Sequence, residues 1–227
     1  MRGLTYDRAM TAGLFYVYTD PGTVDEAEFH DWYDHEHGPA RLSVPGLGPA
    51  YRYRALDDLK PTWLALYELD RPQVIESPEY KALSAKASDR DKSVGARLAT
   101  LDRRVYEQIS EDGSPVGRPA PVILAVAMSV PEGSEDDLAA WYTEEHIPML
   151  LKVPGWRRIR RFRLTRALDA PGPGAPAFLS LHELAGPEVL EDPGFLAAIS
   201  TPWRDRVVAS ALQRERRVFG LRNAIEA

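Results

Sequence analysis

The apolar run Leu14-Phe15-Tyr16-Val17-Tyr18 reads as a strand, and between Asp25 and His37 the spacing turns helical, with apolar or aromatic residues at 29, 32, 33 and 40. A strand pair follows at Ala50 to Ala55 and Thr62 to Leu69, then a helix from Pro78 to about Ala99 and a last strand from Leu101 to Ile109. The same order returns as Val122 to Ser129, Glu135 to His146, Arg158 to Leu164, Ala177 to Leu184, Pro193 to Leu212 and Arg216 to Leu221. Both halves read βαββαβ, the split-βαβ, ferredoxin-like plan of an α+β protein.

The recurrence is also literal. Trp32-Tyr33-Asp34-His35-Glu36-His37-Gly38-Pro39 comes back as Trp141-Tyr142-Thr143-Glu144-Glu145-His146-Ile147-Pro148, and Val44-Pro45-Gly46 as Val153-Pro154-Gly155. A duplicated unit explains both matches. Residues 1–110 form the first repeat and 122–227 the second. The Pro-, Gly- and charge-rich stretch 111–121 separates them as a linker, and the second copy carries a longer loop from Pro171 to Pro176.

Trp63-Leu64-Ala65-Leu66-Tyr67 and Phe178-Leu179-Ser180-Leu181 are apolar on both strand faces, unlike a sheet with one face in water. Each sheet is therefore expected to carry helices on one face and the sister sheet on the other. Two four-stranded sheets packed this way make an α+β barrel within one chain, and a homodimer of the whole chain is compatible with that plan.

A net charge of −6 gives no basic footprint for nucleic acid, and Arg157-Arg158 and Arg160-Arg161 lack interleaved aromatic platforms. No apolar run is long enough to span a bilayer, and Met1 to Asp7 lacks the apolar core of a signal peptide. There is no cysteine, which excludes disulfides, thiolate catalysis and Cys-based metal sites, and fits a reducing, cytoplasmic home. Neither a dinucleotide fingerprint, a Walker loop nor a Gly-x-Ser-x-Gly elbow occurs. His35-Glu36-His37 looks like a metal cluster, but neighbours on a helix point about 100° apart and cannot close on one ion.

The pattern Trp-Tyr-x-x-Glu-His-x-Pro followed by Val-Pro-Gly, on the first helix of a βαββαβ unit, resembles the EthD-like members of the dimeric α+β barrel superfamily. The resemblance covers nearly the whole chain as two fused copies. It implies an intramolecular barrel and a place among cofactor-free monooxygenases, polyketide cyclases, small-lactone isomerases, haem-binding members and proteins without assigned chemistry. Tandem chains of this kind resemble accessory proteins of secondary metabolism or aromatic catabolism.

On an ideal helix centred on Phe29, Glu36 falls about 20° from the middle of the apolar face, Tyr33 about 40°, Trp32 about 60° and His37 about 80°. Leu138, Glu145, Tyr142, Trp141 and His146 take the same slots. A carboxylate in a buried stripe is either a proton-transfer group with a raised pKa at a pocket wall, or a buried ion pair with Arg52, Arg54, Arg161 or Arg163, or it reaches water where Pro39 and Pro148 break the helix. His37 and His146 each follow a tyrosine by four positions. They read as acid–base partners of Tyr33 and Tyr142, or as caps of the last helical turn.

The copies differ at His35/Glu144, Gly38/Ile147, Arg41/Leu150, Tyr51/Arg160 and Tyr67/His182. His182 with His146 is the only pairing of two imidazoles that the second half offers, and that half is the preferred chemical site. His30 and His35 read as solvated.

The expected activity is that of a cofactor-independent cyclase, isomerase, decarboxylase or monooxygenase acting on a hydrophobic oxygenated small molecule such as an aromatic polyketide. Glu36, Glu145 and the His/Tyr pairs would carry the chemistry, with Trp32, Trp141, Arg54, Arg163 and Tyr67 holding substrate and no metal. The alternatives are a non-catalytic binding or assembly protein and a haem-binding member of the superfamily.

Overall fold

The computed structural model describes residues 12–114, 119–169 and 174–225. The segment Met1 to Asp7, residues 115–118 of the expected linker and residues 171–173 of the expected long loop lie outside them. Among the described residues there are eight strands: β1 (Gly13–Asp20), β2 (Leu47–Ala55), β3 (Trp63–Leu69), β4 (Thr100–Gly113), β5 (Val122–Ser129), β6 (Trp156–Ala167), β7 (Phe178–Leu184) and β8 (Gln213–Ile225). They close into an antiparallel barrel in the order β1-β3-β2-β8-β5-β7-β6-β4.

Two seams join the halves. Strand β2 pairs with β8 (Ala50 opposite Ile225), and β4 pairs with β6 (Gly113 opposite Arg158). The strands that make these seams run well past their apolar stretches. Ser110 to Gly113, Asn223 and Ala224 are held by ladder bonds to the other half and not by burial of an alternating face, which is why periodicity stops short of them, while Ile225 is buried in the first half's helix-side core.

Alternation along each strand divides the core in three. Leu14, Tyr16, Tyr18, Leu64, Leu66, Leu179, Leu181 and Phe219 point into the barrel and form one cluster. Phe15, Val17, Trp63, Ala65 and Tyr67 point outward under the first half's helices, and Leu124, Met128, Trp156 and Leu184 under the second half's. Burial on both faces explains the two-sided apolar strands.

The barrel ends are closed by charge. Arg104 binds Asp102 and Glu215 at one end, and Arg160 meets Glu68 at 2.8 Å at the other, where Arg158 also binds Glu183. Buried arginines of this kind survive because each is matched by a carboxylate.

Outside the barrel lie α1 (Glu26–Trp32), α2 (Gly38–Leu42), α3 (Pro78–Ala85), α4 (Asp89–Arg97), α5 (Glu135–Trp141), α6 (Ile147–Leu150), α7 (Pro193–Ala198) and α8 (Pro202–Ser210). The expected single helices at 78–99 and 193–212 are thus broken in two. Ser88 and Thr201 cap the second pieces by accepting from the Asp91 and Arg204 amides, and Pro202 starts α8.

Between α1 and α2, Tyr33–His37 forms a π-helical turn, closed by the Gly38 amide on the Tyr33 carbonyl; Tyr142–His146 does the same between α5 and α6. Pro39 and Pro148 do not end the helix. They enter just after the wide turn, where the missing amide is tolerated, and the chain stays helical to Leu42 and Leu150.

Val-Pro-Gly recurs for a backbone reason. Gly46 (φ +85°) and Gly155 (φ +88°) take a left-handed conformation in the turn that follows, where their carbonyls accept from the amides of Asp70 and Ala185. No helix among the described residues is long and apolar enough to cross a membrane.

Candidate active site

The π turn rotates the following residues off the ideal helical wheel. Phe29, Trp32 and Tyr33 are buried as expected, but the next buried positions are Gly38 and Leu42, not Glu36 and Ala40. One extra residue in the turn carries the carboxylate out of the stripe. The expectation of Glu36 and Glu145 at its centre is corrected accordingly: both are half-buried at the rim.

Each rim carboxylate holds the cap of the helix opposite. Glu36 accepts from the Ser88 hydroxyl, and Glu145 from Thr201 at 2.5 Å and from the Trp141 indole at 3.2 Å. Neither forms an ion pair with the strand arginines. Arg52 instead binds Asp34 at 2.6 Å and lies 4.1 Å over the Tyr33 ring, and Arg161 lies 4.2 Å over Tyr142. Arg54 and Arg163 are exposed and line neither of the cavities described below.

The shift that removes Glu36 brings His37 inward. In the first half, a cavity of about 160 Å³ lies between the outer sheet face and the helices. It is lined by Phe15, Val17, Trp32, Tyr33, Tyr67 and Leu98, with His37, Arg41, Asp91 and Arg103 as its charged or titratable groups. Gly95 and Leu101 line it and are themselves exposed, which places its mouth between them.

His37 Nδ1 lies 2.9 Å from Asp91 Oδ1, and the Trp32 indole donates to the same oxygen at 3.0 Å. A carboxylate only accepts, so the imidazole proton sits on Nδ1 and Nε2 is left with its lone pair. Burial, followed by the like charge of Arg41, pushes His37 from its ordinary 6.5 down to about 3. The Asp91 carboxyl is held below its usual range, first by this hydrogen bond. The Tyr33 and Tyr67 hydroxyls meet at 2.7 Å, and burial raises both phenols, so one hydroxyl proton of the pair remains to be donated into the cavity.

The second half is built from the same slots with different contents. Its cavity is about 40 Å³ and is lined by Trp141, Tyr142, His146, Trp156 and His182, among others. His182 is buried facing the helix layer, edge-on to Trp156 at 5.3 Å. His146 stacks on Trp141 at 4.3 Å, and burial takes it down to about 4. Asp91 is the third residue after the cap Ser88; the third residue after Thr201 is Arg204. The structure brings His37, Tyr33, Trp32 and Tyr67 onto one cavity together with Asp91, which the sequence did not single out. A comparison of the two capped helices, Ser88-x-x-Asp91 against Thr201-x-x-Arg204, carries that signal.

The caps assigned to the histidines do not form, because the helix continues past them. His30 is not solvated: it lies 3.0 Å from Arg52 and edge-on to Trp63 at 4.5 Å, while His35 is exposed beside Asp31. The divergent partners of His35, Glu36 and His37 keep that triplet apart. Among the described residues no three His, Asp or Glu converge as metal ligands.

No protein-family profile and no curated protein matches the chain. Solved structures do. An anthrone oxidase-like protein superimposes with a TM-score of 0.66 at 15% identity, over 97% of this chain and 94% of that one. A chlorite dismutase variant of Candidatus Nitrospira defluvii gives 0.57 at 10%, over 93% and 92%. A monooxygenase-like protein of Listeria innocua gives 0.52 at 8%, over 94% and 95%. The fold is that of a dimeric α+β barrel. A haem does not fit the first half's cavity, whose volume of about 160 Å³ encloses roughly a single ring.

Proposed function

We propose that the chain is a cofactor-independent enzyme that takes a proton from an activated C–H or O–H of a hydrophobic, oxygenated aromatic molecule in the first half's cavity. The observation that carries this reading is the His37–Asp91 pair at 2.9 Å on the wall of an apolar-lined cavity with an exposed mouth. His37 is neutral at ordinary pH and accepts the proton on Nε2; Asp91 fixes the tautomer, and its carboxylate together with the anion left on the substrate offsets the burial and the Arg41 charge that otherwise disfavour the imidazolium. Arg41 and the free phenolic proton of the Tyr33–Tyr67 pair face the anion left on the substrate. The volume suits one ring held inside, with the rest of a fused-ring substrate leaving through the mouth between Gly95 and Leu101.

Such an anion serves cyclisation, isomerisation and oxygenation alike. The likeness to an anthrone oxidase-like protein and a monooxygenase-like protein favours oxygenation. In that reaction a ring CH2 and dioxygen become a ring carbonyl and water, the substrate carbon giving up its electrons to oxygen. We read the chain as two fused EthD-like, ferredoxin-like repeats, 1–110 and 122–227, joined by 111–121. The order β4-β1-β3-β2 within one half and β8-β5-β7-β6 within the other supports it.

Dioxygen uptake by chelator-treated protein supplied with anthrone-type compounds tests the reading. One dioxygen consumed per carbonyl formed, lost in His37→Ala, is the expected result. Binding without uptake or any other conversion, unchanged in His37→Ala, would assign the chain to the non-catalytic alternative.

A further inference from the structure

Three buried polar atoms of the second half converge on one small cavity without a partner: His146 Nδ1, His182 Nδ1 and Trp156 Nε1. Their residues are 8%, 1% and 5% exposed. A buried polar atom without a partner is costly, so three around one space point to something that fills it. The indole nitrogen can only donate, and the neutral His182 imidazole can donate through Nδ1, whereas the one N–H of a neutral His146 is engaged by the Ala198 carbonyl. The missing group is therefore an acceptor.

The first half supplies its own acceptor. There the Asp91 carboxylate takes the imidazole of His37 and the indole of Trp32, and Tyr67 in the His182 slot is satisfied by Tyr33. In the second half the acid is replaced by Arg204, which lines the cavity with Arg214 and Arg216. Burial and the neighbouring Arg214 both disfavour charge on Arg216. Arg204 is paired with the more exposed Asp205 at 3.0 Å, so the three guanidinium groups leave the space with a net positive surround that an anion offsets.

We propose that the second half's cavity is a binding site for a short-chain carboxylate, whose carboxyl group takes the place that Asp91 fills internally in the first half. Its donors are His182, Trp156 and Arg204, with His146 lining the site and Arg214 and Arg216 supplying long-range attraction. Leu124, Val126 and Phe195 surround the rest, which suits a methyl or ethyl tail. A volume of about 40 Å³ restricts the ligand to the smallest carboxylates, whereas a benzene ring needs roughly 150 Å³. The site is separate from the His37 cavity, and the proposal stands whether or not that cavity performs chemistry.

The full-length protein labelled on its histidine rings reports on the site directly, since the chain has only five histidines. Titration with sodium acetate or propionate, against sodium chloride of equal ionic strength, is expected to shift the His146 and His182 ring signals saturably and leave His35 unmoved. Arg204→Gln should weaken the affinity about tenfold, the scale of one lost charge-assisted hydrogen bond. Arg204→Asp supplies an internal carboxylate and should abolish the response altogether, with far-UV circular dichroism and melting curves checking that both variants fold. Shifts matched by chloride, no saturable response in the wild type, a preference for benzoate over acetate, or undiminished binding in Arg204→Asp would each overturn the proposal.

Discussion

His37 and Asp91, 54 positions apart in the chain, meet at 2.9 Å, whereas His146 in the corresponding turn is faced across its cavity by Arg204. One substitution in a capped helix thus makes two copies of one motif chemically unlike. The first half holds an imidazole with a carboxylate behind it; the second holds imidazoles without one. Functional asymmetry between the halves is the natural consequence.

For activity, Asp91→Asn should preserve the cavity, since an amide oxygen can still accept from His37, yet remove the charge that stabilises the imidazolium. Turnover is expected to fall by about tenfold or more with little change in KM, read by steady-state kinetics on whichever substrate the oxygen-uptake assay identifies. An unchanged kcat would detach Asp91 from the chemistry and leave it as a helix-positioning residue.

Stability should fall in acid over a defined window. Burial depresses His37 from 6.5 to about 3 and His146 to about 4, so between those limits the unfolded chain binds protons that the folded chain refuses. The contribution is complete above pH 6.5 and is lost progressively as the pH drops toward 3. Asp91, also depressed, acts in the same direction at the lower end. Urea titrations at stepped pH should show His37→Phe and His146→Phe flattening the slope between pH 6.5 and 4; a slope identical to that of the wild type would mean that neither ring resists protonation.

Glu36→Gln and Glu145→Gln are expected to leave turnover intact, because both side chains sit at the rim on the caps Ser88 and Thr201. Each should cost about 1 kcal/mol or less in unfolding free energy, as for one hydrogen bond. A large loss of activity in Glu36→Gln would return the carboxylate to the catalytic group.

These carboxylates mark where sequence periodicity stopped being enough. The strand faces, the barrel and the pairing of Tyr33 with His37 follow from alternation and from four-residue spacing. The π turn cannot be read that way, because a wheel of 3.6 residues per turn presumes an unbroken ladder, and a single inserted residue sends Glu36 outward and His37 inward. Asp91 escaped for another reason: it comes from a different helix, brought close by packing, and only its contrast with Arg204 singles it out. Preference for the second half followed from counting imidazoles, which ignores what stands behind each ring.

Either half produced alone should fail to remain a well-behaved monomer. Cutting between β4 and β5 opens the β2–β8 and β4–β6 seams and bares Leu64, Leu66, Leu179 and Leu181 to water. Sedimentation of residues 12–114 and 119–225 as separate chains should report dimers or aggregates; a folded, soluble monomer of either would mean that the halves do not depend on one another.

The central claim is that His37, backed by Asp91, removes a proton in the first cavity. It is tested most directly by the absorbance of an anthrone-type probe whose anion absorbs at longer wavelength, bound at a pH where the free probe is neutral. The wild type and His146→Ala should both show the anion band, and His37→Ala should bind the probe without it. An anion band that survives His37→Ala, or that disappears only in His146→Ala, would contradict the account.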